Sequence, residues 1–165
     1  MCKEQREGGK KVWPANYNMD GQLVLAGLKA DLESLVDTFK AAGAKRALVL
    51  DMSVASHCEL LQSAVENLKP YLFEFLNDEF LDVVSNVSAE VYNTKDEAIE
   101  FLSSQLIAPV KYKQSIKAHD SKVDLYIEFG NGAVLKGLNK KSSEKPTLNV
   151  SDMKTLNETI EASND

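Results

Sequence analysis

His57, one of the two histidines in the chain, lies in a stretch whose residue types could support proton transfer. The stretch, Asp51 to Leu61, follows an apolar run at 46–50 that is typical of a β-strand and precedes a helical pattern of apolar residues. A strand–loop–helix junction holds side chains rigidly while they still reach a ligand. Because histidine exchanges protons near neutral pH, His57 is a candidate general base. The alternative is a helix-start residue that only hydrogen-bonds to backbone.

The residues around this base do not supply a nucleophile. Cys58 is adjacent, but neighbouring helical residues point about 100° apart, so we expect Cys58 to be buried and inert. The sequence has no Gly-x-Ser-x-Gly elbow and no glycine-rich phosphate loop. His119 follows a helical segment, where a favourable charge at a helix C-terminus is the simplest role. The acidic residues show no pairing that predicts a metal or glycosidase site.

The composition places the chain among globular proteins and narrows its partners. It has 165 residues, a net charge of −6 and 44% hydrophobic residues. An acidic protein is a poor ligand for nucleic acid or anionic membranes. Two cysteines allow at most one disulfide, the apolar runs are too short to span a bilayer, and no secretory signal precedes the first strand. We therefore expect a cytoplasmic protein.

Hydrophobic periodicity predicts alternating strands and helices. The opening residues, 1–11, are predicted to be a solvated lead-in, and a hairpin follows with strands at 12–17 and 22–26. A helix from Ala30 is closed by Gly43, and strands are predicted at 46–50, 82–87, 123–129 and 148–150. Helices are predicted after His57, from the Thr94 capping box, and at 111–118, 134–138 and after Ser151. The aromatic run at 71–75 is predicted to pack in a core or an interface. This order indicates a layered α/β fold with a parallel sheet.

Several separated segments resemble one enzyme family. They are Pro14–Gly27 (PANYNMDGQLVLAG), Ala41–Leu48, Ser53–Cys58 (SVASHC), Val83–Val87, Ser104–Val110 and Glu128–Leu135. Their sequences, order and spacing are similar to those of malonyl-CoA:acyl carrier protein transacylases. The resemblance covers nearly the whole chain. One departure is Gly130-Asn131-Gly132-Ala133, where the family usually has Gly-Pro-Gly-Lys.

The resemblance implies a two-lobed fold, of which this chain would hold the C-terminal half. Residues 1–52 would be an incomplete ferredoxin-like small lobe, and 53–165 would be the C-terminal part of an α/β-hydrolase-like core. His57 would be the base of a Ser–His pair, and the backbone carbonyl of Gln105 would orient its ring. Ser56, Asn16 and Asn18 would contact the substrate.

The implied reaction is a ping-pong transfer of malonyl from coenzyme A to the phosphopantetheine thiol of acyl carrier protein in fatty acid biosynthesis. It needs no cofactor beyond the coenzyme A thioester, which is the substrate. The nucleophilic serine, the oxyanion hole and the arginine for the malonyl carboxylate would belong to the family's first half. We therefore interpret the chain as a fragment of an enzyme about twice as long, inactive alone and in need of its N-terminal half.

Two other readings remain open at this point. A catalytically dead module that binds acyl carrier protein would use a basic patch, such as Lys10, Lys11, Lys45 and Arg46, against an acidic partner. A thiol hydrolase would use Cys58, although the helical geometry disfavours a Cys58–His57 pair.

Overall fold

The computed structural model describes residues 1–163, and in that range it has a mixed α/β architecture. The helices are α1 (Cys2–Glu7), α2 (Lys29–Ala41), α3 (Gln62–Phe75), α4 (Lys95–Ser104), α5 (Tyr112–His119), α6 (Val134–Asn139) and α7 (Met153–Ser163). The strands are β1 (Val12–Met19), β2 (Gln22–Gly27), β3 (Val83–Val84), β4 (Val91–Tyr92), β5 (Tyr126–Phe129) and β6 (Thr147–Val150).

The first strands form the predicted hairpin. β1 and β2 pair antiparallel from Val12–Gly27 to Met19–Gln22, with irregular register after Pro14 and after Tyr17. Gly21 adopts a φ of 81° at the turn, which suits glycine. The helix predicted from Ala30 is α2, and Gly43 follows it with a φ of 102°.

The parallel pairing predicted for the later strands is present as one pair. β5 and β6 pair in register from Tyr126–Thr147 to Phe129–Val150, and α6 and α7 both pack against β6. The Glu128 carboxylate accepts hydrogen bonds from the backbone N–H groups of Leu135 and Lys136, at 3.0 and 2.9 Å. This contact fixes the start of α6 against β5.

Four local predictions need correction. Residues 46–50 form no strand within the described chain, because a strand requires a paired neighbour and none lies beside them. The strand predicted at 82–87 is limited to β3, because the chain turns at Ser85. The lead-in contains α1. The cap of α7 is Asp152 rather than Ser151, since its Oδ1 accepts the Thr155 N–H at 2.8 Å.

Helix α3 continues through Pro70 to Phe75. The aromatic side chains beyond Pro70 do not lie in a core: Phe73 is 70% exposed, and Tyr71 and Phe75 are exposed to a similar extent. Their predicted place in an interface stays a prediction.

A small apolar cluster joins the hairpin to the His57 loop. Trp13, Ala15 and Ala26 of the hairpin pack with Cys58, and Ala55 lies against them. The cluster crosses the boundary predicted between residues 52 and 53, which stays a prediction. No helix within residues 1–163 has the length and apolar character needed to cross a bilayer.

Candidate active site

The backbone at His57 has an unusual conformation. His57 has a φ of 59°, in the left-handed region that side chains other than glycine seldom occupy. Cys58, the next residue, is fully buried, and its Sγ donates a hydrogen bond of 3.3 Å to the Ala55 carbonyl. Burial of Cys58 thus holds the loop in a strained conformation, of the kind that clusters at functional sites.

The imidazole of His57 contacts a backbone carbonyl that is distant in sequence. Its Nδ1 lies 2.7 Å from the carbonyl oxygen of Gln105. Because a carbonyl oxygen only accepts hydrogen bonds, Nδ1 carries the hydrogen in the neutral ring. The lone pair of the neutral imidazole is then on Nε2, which is the arrangement that a general base requires.

Helix α4 supplies this carbonyl. Thr94 caps the helix by accepting the Glu97 N–H at 3.4 Å, and the Thr94 hydroxyl donates to the Glu97 carboxylate at 2.7 Å. At the other end Gln105 is the C-cap, and its N–H donates to the Phe101 carbonyl. The carbonyls at the end of a helix have no partner within the helix, so the Gln105 carbonyl can accept from His57.

The chain that follows Gln105 joins the site to the hairpin. Val110 donates its N–H to the Ala15 carbonyl at 2.8 Å, and its carbonyl accepts from the Tyr17 N–H at 2.9 Å. These bonds enclose Asn16, whose backbone lies beside Val110. The predicted substrate residues of β1 are therefore connected to the segment that carries the His57 acceptor.

The predicted substrate-contacting residues differ in their surroundings. Ser56 is half-buried immediately before His57, and Asn16 is half-buried in β1. The side-chain Nδ2 of Asn18 donates to Gln22 Oε1 across the hairpin at 3.3 Å. Two surface clefts lie elsewhere: one of about 390 Å³ is lined by α6, β6 and α7, and one of about 540 Å³ by α3 and α4.

Neither Cys58 nor His119 is placed for chemistry at this site. Burial raises the pKa of the Cys58 thiol, which disfavours the reactive thiolate. His119, the last residue of α5, has its Nε2 3.0 Å from the Ala89 carbonyl. In the part of the chain that the structure describes, no group of three or more His, Cys, Asp or Glu side chains could hold a metal ion.

One contact of this site was not predicted from the sequence. Asn86 Nδ2 donates to the side-chain oxygen of Gln105 at 3.2 Å. Asn86 falls inside the strand predicted at 82–87, and a strand pattern does not specify a side-chain partner 19 residues away.

Comparisons with known proteins agree on one group of relatives. No family model matches the chain. It is 39% identical over 165 residues to malonyl CoA-acyl carrier protein transacylase of Bacillus subtilis, covering 96% of this chain and 52% of the relative. With the Escherichia coli K12 protein of the same name it shares 39% identity over 142 residues, covering 85% of this chain and 46% of the relative.

Solved structures give the same result. The crystal structure of malonyl-CoA:acyl carrier protein transacylase from Helicobacter pylori matches with a TM-score of 0.91 and 46% identity, covering 94% of this chain and 51% of that one. A malonyl transacylase in complex with a type II polyketide synthase acyl carrier protein matches with a TM-score of 0.90 and 35% identity, covering 98% and 53%. The resemblance to these transacylases is confirmed, and the chain spans about half the length of the curated relatives it matches.

Proposed function

We propose that this chain is the base-bearing C-terminal half of a malonyl-CoA:acyl carrier protein transacylase of fatty acid biosynthesis. The observation that carries the proposal is the 2.7 Å contact between His57 Nδ1 and the Gln105 carbonyl. It leaves Nε2 as the proton acceptor at the site of a chain whose relatives are malonyl transacylases.

In the proposed mechanism His57 activates a serine that the other half of the fold supplies. Nε2 takes the hydroxyl proton while the serine oxygen attacks the malonyl thioester carbonyl. The carbon–sulfur bond breaks, and His57 returns the proton to the departing coenzyme A thiolate. In the second half-reaction Nε2 takes the proton of the phosphopantetheine thiol while its sulfur attacks the malonyl ester carbonyl. The carbon–oxygen bond to the serine breaks, and His57 returns the proton to the serine oxygen.

A carbonyl orienter suits this sequence of proton transfers. A carboxylate at Nδ1 would raise the pKa of the imidazole, whereas a carbonyl fixes the tautomer without adding a negative charge. The base can then accept and release a proton in each half-reaction.

Three residues are proposed to contact substrate. Ser56 would line the acyl pocket beside His57, and Asn16 and Asn18 would meet the pantetheine arm. One N–H of the Asn18 amide donates to Gln22, and its Oδ1 would accept an amide N–H of pantetheine. The coenzyme A thioester is a substrate, and no cofactor is required. A cytoplasmic location stays a prediction.

The third proposed partner, besides malonyl-CoA and acyl carrier protein, is the N-terminal half of the enzyme. β5 pairs with β6 alone within residues 1–163. Tyr126 and Gly130 direct their N–H groups toward β6, so the backbone groups of the residues that alternate with them face away from it. We call Ile127 and Phe129 the open edge of β5. Phe129 is 73% exposed, and an apolar unpaired edge favours pairing with another strand.

The test combines this chain with the half of the Bacillus subtilis relative that it does not match. The two polypeptides are co-expressed, and transfer of malonyl from malonyl-CoA to acyl carrier protein is measured. We expect transfer by the pair and none by the 165-residue chain alone. His57→Ala in the pair should lower kcat by a factor of about 10² to 10⁴, the usual contribution of a general base.

His119→Gln is the matched control and should leave transfer within about twofold, because His119 contacts the Ala89 carbonyl and has no contact with His57 or Gln105. Full transfer by the His57→Ala pair would contradict the proposed role of His57. If the chain were instead a carrier-binding module, it would bind acyl carrier protein by itself in a salt-sensitive manner, and the two co-expressed polypeptides would transfer no malonyl. One of that module's cations already has a neighbour, since Lys10 Nζ donates to the Ser34 hydroxyl.

A further inference from the structure

The segment between Gln105 and Lys111 is tied to Asn86 at both ends. At one end the Nδ2 group of Asn86 donates to Gln105 Oε1 at 3.2 Å. At the other end the backbone carbonyl of Asn86 accepts the Lys111 N–H at 2.8 Å. Between these bonds lies Val110, which pairs with β1. Asn86 therefore restrains the whole connection that carries the acceptor of His57.

A tight turn fixes the position of Asn86. Ser85, which precedes it, is buried, and its Oγ accepts the N–H groups of Val87 and Ser88 at 3.1 and 3.2 Å. The Ser85 N–H donates to the Glu90 carbonyl, and its carbonyl accepts the Ala89 N–H, both at 2.9 Å. With both backbone groups and the hydroxyl of Ser85 engaged, the turn presents Asn86 in one orientation.

Gln105 is thus held from two sides through different groups. Its backbone carbonyl accepts from His57, and its side-chain oxygen accepts from Asn86. A helix C-terminus frays easily, and a side-chain bond outside the helix limits that motion. We infer that Asn86 is a positioning residue, which holds the Gln105 carbonyl where it keeps the hydrogen of His57 on Nδ1. The inference rests on the proposed function, in which Nε2 is the base.

The amide of Asn86 suits this role better than a carboxylate. The contact requires a donor toward Gln105 Oε1, and an ionised carboxylate only accepts. A negative charge near the Gln105–His57 pair would also favour the protonated imidazole, which is not a base.

The test measures the tautomers of His57 in the 165-residue chain by ¹⁵N NMR of the imidazole ring. Spectra are recorded at about pH 8.5, on the alkaline side of the usual range for histidine, and only the signals of the neutral ring are compared. Asn86→Ala removes the side-chain donor and keeps the backbone carbonyl that serves Lys111. We expect the ratio of Nδ1–H to Nε2–H tautomer to fall about threefold, the lower range for loss of one hydrogen bond at an exposed position.

Two further variants change Gln105, the acceptor of the same hydrogen bond. Gln105→Leu should lower the ratio as Asn86→Ala does. Gln105→Glu should preserve it, because the carboxylate still accepts from Asn86 and the ratio counts only neutral rings, so a shift toward the protonated imidazole does not enter it. Asn93→Ala is the matched control: β3 and β4 pair antiparallel on either side of the Asn86 turn, and beyond them Asn93 Nδ2 donates to Asp82 Oδ1 at 3.0 Å, without contact to Gln105. That variant should leave the ratio unchanged, and the His119 signals should stay constant throughout.

An unchanged His57 ratio in both Asn86→Ala and Gln105→Leu would overturn the inference. Transfer activity of the co-expressed pair separates this failure from that of the proposed function. A pair that transfers malonyl equally well with and without Asn86→Ala, at an unchanged tautomer ratio, refutes the inference alone. A ratio that falls in chains whose pairs never transfer malonyl refutes the function while the positioning contact stands.

Discussion

Two regions of this chain differ in how completely they bury their own apolar surface. The hairpin and the His57 loop enclose Trp13, Ala15, Ala26 and Cys58 without help from another chain. At the open edge of β5, by contrast, Phe129 is 73% exposed, and Leu81 on the approach to β3 is 88% exposed. The surroundings of His57 are therefore packed within the chain, whereas β5 and β6 pair only with each other within residues 1–163.

Topology explains the difference. An antiparallel hairpin needs only a short turn between its strands and can pack one face on a neighbouring loop. Parallel strands need crossover connections, and parallel sheets are normally covered on both faces and extended by several strands. A parallel sheet of only two strands leaves both outer strand edges unpaired. The proposed base and the proposed partner surface therefore lie in regions of the chain that differ in how well they are packed.

The largest loss of stability should come from truncating a side chain of the buried cluster. Trp13 is 8% exposed at the centre of the cluster, so Trp13→Ala should lower the free energy of unfolding by about 3–5 kcal/mol. Phe129→Ala, at the open edge, should change it by less than about 0.5 kcal/mol. Urea unfolding followed by circular dichroism measures both, because Trp13 is the sole tryptophan and fluorescence would be lost with it. Equal losses would show that the open edge is packed in solution.

Two glycines extend the comparison to the backbone. A Cβ at Gly27, the end of β2, would lie 2.0 Å from the Lys11 carbonyl oxygen, so Gly27→Ala must displace the backbone. We expect a loss of about 1–3 kcal/mol, the usual cost of overpacking. In α6 a Cβ at Gly137 meets nothing within 4 Å, and Gly137→Ala should stabilise the chain by about 0.5–1 kcal/mol. The same urea titrations test whether the two variants change the free energy of unfolding in opposite directions. A stabilised Gly27→Ala variant would contradict the close packing.

The features that the sequence predicted best are turns and helix ends, which depend on neighbouring residues. The Asp20-Gly21 turn, the Gly43 helix end and the Thr94 cap each depend on contacts within a few residues, and each is present. The strand expected at 46–50 depends on a distant partner, which composition and periodicity cannot supply. The burial of these residues still alternates, as in a strand exposed at an edge.

The site shows the same division. The position of His57 at a junction is readable from local patterns, but its contact with Gln105 spans 48 residues. No periodicity links two such positions, and only the family resemblance suggested that the Gln105 carbonyl would orient the ring. Asn86 and Gln105 both lie in segments that resemble the family, but neither the resemblance nor the local pattern indicated that they contact each other, because the contact joins a turn to a helix end.

The smallest predicted effect concerns the ion pairs that hold the hairpin turn to α5. Asp20 accepts from Lys113 Nζ at 2.7 Å and from Lys117 Nζ at 3.0 Å, and these hydrogen bonds, Lys113 first, hold the pKa of the Asp20 carboxyl below its ordinary value of 3.8. A lowered pKa in the folded state means that the stabilisation is complete above pH 3.8 and is lost as the pH falls through the folded value.

The free energy of unfolding of the wild type should therefore be slightly larger than that of Asp20→Asn at neutral pH. This difference should be constant near neutrality and should disappear in acid. Urea midpoints measured across this range test the prediction. In a Lys113→Met background the difference caused by Asp20→Asn should be smaller, because one of the two cations is gone. Raised salt should also reduce it, because exposed charges are screened. A difference that grew in acid would have the wrong sign for a depressed pKa. It would place the stabilising interaction on the protonated carboxyl and remove the ion pairs as the link between the hairpin turn and α5.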